Sequence, residues 1–148
     1  MKTKEVEKVF IENESIEWEN VDKGMRRKIM AYDDKLMVVK VEFETGGIGT
    51  LHQHYHSQIT HVESGVFEVE IGDEKKILIA GDAFYIPPNI MHGAVCLEAG
   101  VLIDVFSPMR EESRWRICIW GRSSKTLRSR RFWTTARPSI GTSRTTTN

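Results

Sequence analysis

From Arg26 to Phe106 the chain is a succession of short apolar-patterned runs, broken by turn residues at intervals of roughly 8–12 residues, and this rhythm constrains the fold more than any other feature. RRKIMAY (26–32) and LMVVKVEFE (36–44) flank Asp33-Asp34. In the second run Val39, Val41 and Phe43 alternate with Lys40, Glu42 and Glu44, the pattern of a half-buried strand, so the pair predicts a hairpin. ITHVES (59–64) leads to a turn at Gly65. VFEVEI (66–71) comes next, with Phe67, Val69 and Ile71 on one face and Glu68 and Glu70 on the other. Gly72-Asp73-Glu74 marks the next turn. KKILI (75–79), AFYI (83–86) and VLIDVF (101–106) complete the set, punctuated by Ala80-Gly81-Asp82, Pro87-Pro88 and Ala99-Gly100. No stretch demands a long helix; the one short helical signal falls near 15–25. The expectation is a single all-β domain, a sandwich or barrel.

Charge separates this domain from the C-terminal stretch. Residues 1–113 carry 12 Lys and Arg against 21 Asp and Glu, whereas residues 114–148 carry nine Lys and Arg and no acid. The latter stretch is 20 of 35 Arg, Ser or Thr and has neither helical nor strand periodicity. Its interleaved Trp115, Trp120, Phe132 and Trp133 could stack on bases. The reading adopted is plainer: one folded domain over 1–112, then a poorly ordered or artefactual basic tail over 113–148, such as a shifted reading frame would add, and no nucleic-acid partner. Cys96 and Cys118 are too few for a disulfide framework and lack CxxC spacing. MKTKEVEKVF lacks the apolar run of a signal peptide, and nowhere do about 18 apolar residues follow one another. A cytoplasmic protein with no membrane partner is expected.

Histidine placement carries the chemistry. Of five histidines, His52, His54, His56 and His61 fall within LHQHYHSQITH, and His92 comes after the proline-stiffened PPNIM segment. In an extended strand His52 and His54 point the same way, so two imidazoles can reach one ion from a common face. Gln58 offers an amide oxygen four residues on, and His92 a third imidazole from a neighbouring strand. Three imidazoles suit one divalent ion, whether Zn, Ni, Fe or Mn. His56 lies in the connection after the pair, and His61 has opposite strand parity to Gln58; both read as surface or packing residues, or as residues supporting the ligands.

These residues resemble the two motifs of the cupin superfamily. The first, a Gly, HXH, Glu, Gly pattern, is met by Gly46, five residues, His52-Gln53-His54, three residues, Gln58, six residues and Gly65, with Gln in place of Glu. The second is met by Gly81, five residues, Pro87-Pro88-Asn89, two residues and His92; Asn89 replaces a Gly, and Cys96 the terminal Asn. The resemblance, over motifs 46–65 and 81–96, implies a double-stranded β-helix, or jelly-roll barrel, with the metal inside. Three imidazoles and an amide leave the ion its full charge, which favours Lewis-acid work over redox cycling. They also differ from the two-His-one-carboxylate set of many Fe(II) oxygenases.

In DVFSPMR (104–110), Asp104 and Phe106 share strand parity, with Arg110 beyond Pro108. An acid, an aromatic wall and a guanidinium suit proton transfer, sugar stacking and carboxylate capture. Spacing alone allows equally a buried Asp104–Arg110 pair with no chemistry. The run from Gly24 to Glu112 resembles the small cupins of pectin and alginate degradation, which convert 4,5-unsaturated monouronates to linear 4-deoxy-5-keto uronates. That resemblance implies metal ligation by His52, His54, Gln58 and His92, catalysis by Asp104 and Arg110, and substrate contact by Phe106 and Arg110. A small sugar acid is the expected substrate and a homodimer the expected assembly, with segment 5–20 available for the contact. A non-enzymatic sugar-binding cupin, a sugar isomerase and a dioxygenase remain alternatives.

Overall fold

The computed structural model describes residues 9–110. The basic stretch expected over 113–148 lies outside the described residues. A single 3-10 turn at Asn13–Ser15 precedes eight strands: β1 (Glu19–Asp22), β2 (Met25–Tyr32), β3 (Met37–Phe43), β4 (Ile48–His52), β5 (Ser57–Ile71), β6 (Glu74–Ile79), β7 (Ala83–Ile86) and β8 (His92–Ser107). All pairings are antiparallel. This is the expected all-β architecture, and no helix among the described residues is long and apolar enough to cross a membrane. The short helix expected near 15–25 is replaced by the 3-10 turn and by β1, whose Glu19 and Asn20 pair with Arg27 and Arg26. An available edge on β2 outweighs a weak local helical preference.

The 15-residue β5 and the 16-residue β8 form the spine. They pair with each other from Ser57↔Ser107 to Ile71↔His92, and each serves two layers. The first half of β5 and the second half of β8 join β1, β2, β3 and β7; the other halves join β4 and β6. Gly65 and Ala99-Gly100, expected as turns, instead lie inside these strands, where the register slips between Val62 and Phe67. The backbones nearly touch there. A Cβ on Gly100 would meet the Ser64 carbonyl oxygen at 2.1 Å, and Gly65 adopts φ +83°, so glycine is required for close approach and a bend rather than for chain reversal.

Alternation along the strands builds the core. Met37, Val39, Val41 and Phe43 of β3 are almost wholly buried, as are Val62 and Phe67 of β5. Phe43 meets Phe67 edge to face, with centroids 5.3 Å apart, and so joins the two layers. Around the β2 edge, Arg27 turns inward and pairs with Glu19, while Arg26 and Lys28 flank the Trp18 ring at 4.4 and 4.7 Å.

Candidate metal centre

β4 and β8 run antiparallel with His52 opposite His92, which brings their rings to 4.2 Å between centroids. His54 lies beyond the end of β4, in the connection to β5, so it does not share a strand with His52 as the spacing suggested. The chain bend still delivers it: its ring stands 4.8 Å from that of His92 and 5.5 Å from that of His52. One ring nitrogen from each of His52, His54 and His92 falls within 4.8 Å of the others.

Hydrogen bonds to the backbone set the tautomers. The Nδ1 of His52 bonds the Thr50 carbonyl at 2.9 Å, that of His54 the His56 carbonyl at 3.1 Å, and that of His92 the Ile90 carbonyl at 2.8 Å. A carbonyl oxygen only accepts, so each Nδ1 is the donor and each Nε2 carries its lone pair. The Nε2 of His92 is buried and has no hydrogen-bond partner among the described residues. Burial, with the His92 charge next, lowers the pKa of His52 to about 4; burial, with Arg110 next, lowers that of His54 to about 3. His92 is lowered too, mainly by burial. Neutral imidazoles are the form that ligates metal.

Gln58, on β5, completes the group. Its Oε1 stands 3.0 Å from the Nε2 of His54. With the His54 proton on Nδ1, two lone-pair acceptors confront each other, an arrangement that a cation between them would relieve. The donor set therefore fits one divalent ion on His52, His54, Gln58 and His92.

Beneath these residues the β5–β8 register sets Gln58 opposite Phe106 and Thr60 opposite Asp104, all four buried. Asp104 accepts a 2.6 Å hydrogen bond from Thr60 and a 3.2 Å one from the Gln58 amide. Its pKa rises to about 6 through burial, against the lowering effects of Thr60, Arg110 and Gln58. β8 stops at Ser107, before Pro108, and the chain returns Arg110 to place its guanidinium 5.2 Å from the Phe106 ring centre. Arg110 is buried, and its charge bears on His52, His54, His92 and Asp104. Phe106 in turn lies edge-on to His54, at 5.9 Å. Every residue expected at the site is thus brought to one end of the barrel.

His61 is exposed, as its parity implied, and pairs with Ala83 and Ile103 outside the site. His56 is almost fully buried, with its ring 3.9 Å from that of Tyr55 and 5.3 Å from that of His54, and its carbonyl accepts the hydrogen bond that orients His54. Thr60 is a member of the site that sequence reasoning missed. Its signal is there, two residues after Gln58 and therefore on the same face.

Comparison with known proteins agrees with this fold. Residues 39–106 match the family model of the cupin domain. Over 105 residues the chain is 50% identical to the pectin degradation protein KdgF of Dickeya dadantii (strain 3937), covering 70% of this chain and 94% of that protein. The structure of KdgF from a Halomonas species superposes with a TM-score of 0.69 at 47% identity, covering 70% of this chain and 98% of that one. An RmlC-like cupin from Shewanella frigidimarina gives a TM-score of 0.70 at 42% identity, over 72% of this chain and 96% of that one.

Proposed function

The chain belongs to the cupin family, among relatives of KdgF, and from that premise we propose that it is a metal-dependent enzyme converting 4,5-unsaturated uronates to linear 4-deoxy-5-keto uronates in pectin or alginate breakdown. The observation that carries this reading is the stacking of two groups at one barrel end: the His52–His54–Gln58–His92 donor set above, and Asp104, Phe106 and Arg110 beside it. The 50% identity to a protein named for pectin degradation supports a role in pectin breakdown.

A divalent ion held by the donor set would supply a Lewis acid for negative charge on the substrate's carboxylate or ring oxygen. The remaining tasks fall to side chains. Arg110, buried against Phe106, presents a guanidinium suited to a bidentate grip on a carboxylate. Phe106 offers an apolar wall to the sugar ring. The substrate is an enol ether, which is protonated at C4, takes water at C5 and opens from the hemiketal to the ketone. Asp104, at about 6, passes readily between acid and carboxylate near neutrality, so it can give the proton to C4 and take one from the attacking water. The same reading places the protein in the cytoplasm and as a homodimer; the exposed Val9 and Phe10, at 79% and 85%, are apolar surface that a second copy would cover.

The test is to incubate the purified protein with lyase-generated 4,5-unsaturated galacturonate and follow loss of the conjugated-alkene absorbance, with and without chelator. Chelator-sensitive acceleration over spontaneous opening is expected. Metal-loaded protein that is stabilised by the uronate but does not accelerate its opening would be a binding protein, and the enzymatic reading would fall.

A further inference from the structure

We infer that Thr60 is a positioning residue, whose buried hydroxyl locks the Gln58 amide with its oxygen toward the imidazoles and ties it to Asp104. The inference rests on Gln58 as a metal ligand.

The need for such a lock comes from glutamine itself. A carboxylate presents oxygen whichever way it turns, but an amide has two ends of nearly equal shape and only one can ligate a cation. If the Gln58 amide turned over, its NH2 would donate to the Nε2 of His54, now 3.0 Å from Oε1. That one bond would occupy two of the metal's donors. In the metal-free protein the turned form is locally attractive, because it satisfies the His54 lone pair.

The far end of the amide decides against it. Gln58 Nε2 donates to Thr60 Oγ1 at 2.9 Å and to Asp104 Oδ1 at 3.2 Å. Thr60 donates its single hydroxyl proton to the same Asp104 oxygen, at 2.6 Å, so only lone pairs face Gln58. Turning the amide would press its oxygen against both acceptors. Thr60 has no exposed surface, so no water replaces it. The shorter of the two contacts that read the amide's orientation is its own. Removing the hydroxyl leaves Asp104 as the one remaining acceptor and frees Asp104 from its shortest hydrogen bond.

Zn(II) affinity measured by calorimetry on the full chain tests the inference without reference to turnover. Thr60→Val keeps the shape and removes the hydroxyl, and binding roughly 10-fold weaker is expected, as for other partners that orient ligands. Thr60→Ser should restore affinity to near the wild-type value. Val62→Ala, on the same strand and inward face and equally buried, serves as the control for packing loss and should leave affinity unchanged. If Thr60→Val does not fold, Thr60→Ala is read in its place. Wild-type affinity in the hydroxyl-free variant, or an equal loss in Val62→Ala, overturns the inference. Absence of uronate turnover in the wild type, with the Zn(II) pattern as expected, would remove the uronate reading and leave the role of Thr60 standing.

Discussion

The two halves of β5 and β8 are built from the same paired strands yet do opposite things with their inward faces. Beyond the Gly65–Gly100 crossing, Phe67 and Val69 face Ala94 and Cys96, and the buried surface is apolar as far as its tip, where His92 stands opposite His52. Before it, Val62 faces Leu102, but Gln58 and Thr60 face Phe106 and Asp104, so three of these six buried side chains are polar. The apolar half gains free energy from burial. The polar half must satisfy every donor it hides, and does so through the Gln58–Thr60–Asp104 triangle. The apolar row beyond the crossing holds the barrel shut, while Gln58, Thr60 and Asp104 are buried before it at an energetic cost.

The sharpest way to break this division is to empty the apolar half. Phe67 is fully buried and joins the layers through Phe43, so Phe67→Ala should lower unfolding stability by about 3–5 kcal/mol in denaturant titrations. Zn(II) affinity of the molecules that remain folded should change little. A stability loss under about 1 kcal/mol would show that the apolar half is not the part that closes the barrel.

Asp104→Asn should do the converse. Turnover falls, by roughly 10²–10⁴-fold for a lost proton-transfer group, while metal content and the unfolding midpoint stay near wild type. Metal loss alongside turnover would trace the lost activity to the Asp104 contact with Gln58 rather than to proton transfer.

Acid separates the titrating site from the apolar row more gently. In the unfolded chain the clustered histidines take protons near their ordinary value of 6.5, whereas folded His52 and His54 resist until about 4 and 3. Proton uptake then favours the unfolded state, so their contribution is intact above about pH 6.5 and is lost as pH falls toward 4. Asp104 works in the opposite sense. Raised to about 6 from 3.8, it adds stability at low pH that disappears as pH rises through 6. Three lowered histidines outnumber one raised carboxyl, so metal-free protein should unfold at lower urea at about pH 5 than at about pH 7.5. Asp104→Asn should steepen that dependence and Phe67→Ala should leave its slope alone. A flat or reversed profile would mean that the histidines are not held neutral by the fold.

How much of the molecule is legible in the sequence depends on where each signal resides. The candidate donor set can be read because its spacing is written along the chain: His52, His54 and Gln58 within seven residues, His92 after a stiff proline segment. Strand alternation likewise discloses the buried row of β3. Gly65 and Gly100 mislead because glycine serves a turn and a close backbone approach equally well, and only the cross-strand pairing tells them apart. β1 is hidden because its extended form depends on β2 as a partner. Thr60 escapes notice because threonine is ordinary in a strand. Its role arises from the residue opposite it, Asp104, which lies 44 positions away in sequence.

The smallest expected effect tests whether the site's boundary is drawn correctly. His61 belongs to the histidine cluster in sequence and sits one residue after Thr60, but the strand turns it outward, between Ala83 and Ile103 on neighbouring strands. A side chain on the outer face cannot share an ion with residues on the inner one. His61→Ala should therefore leave Zn(II) affinity and turnover at wild-type values and shift stability by no more than about 0.5 kcal/mol. His92→Ala, measured beside it, removes an inward imidazole and should abolish tight metal binding. Equal losses in the two variants would mean that strand face does not separate the metal-binding residues from bystanders.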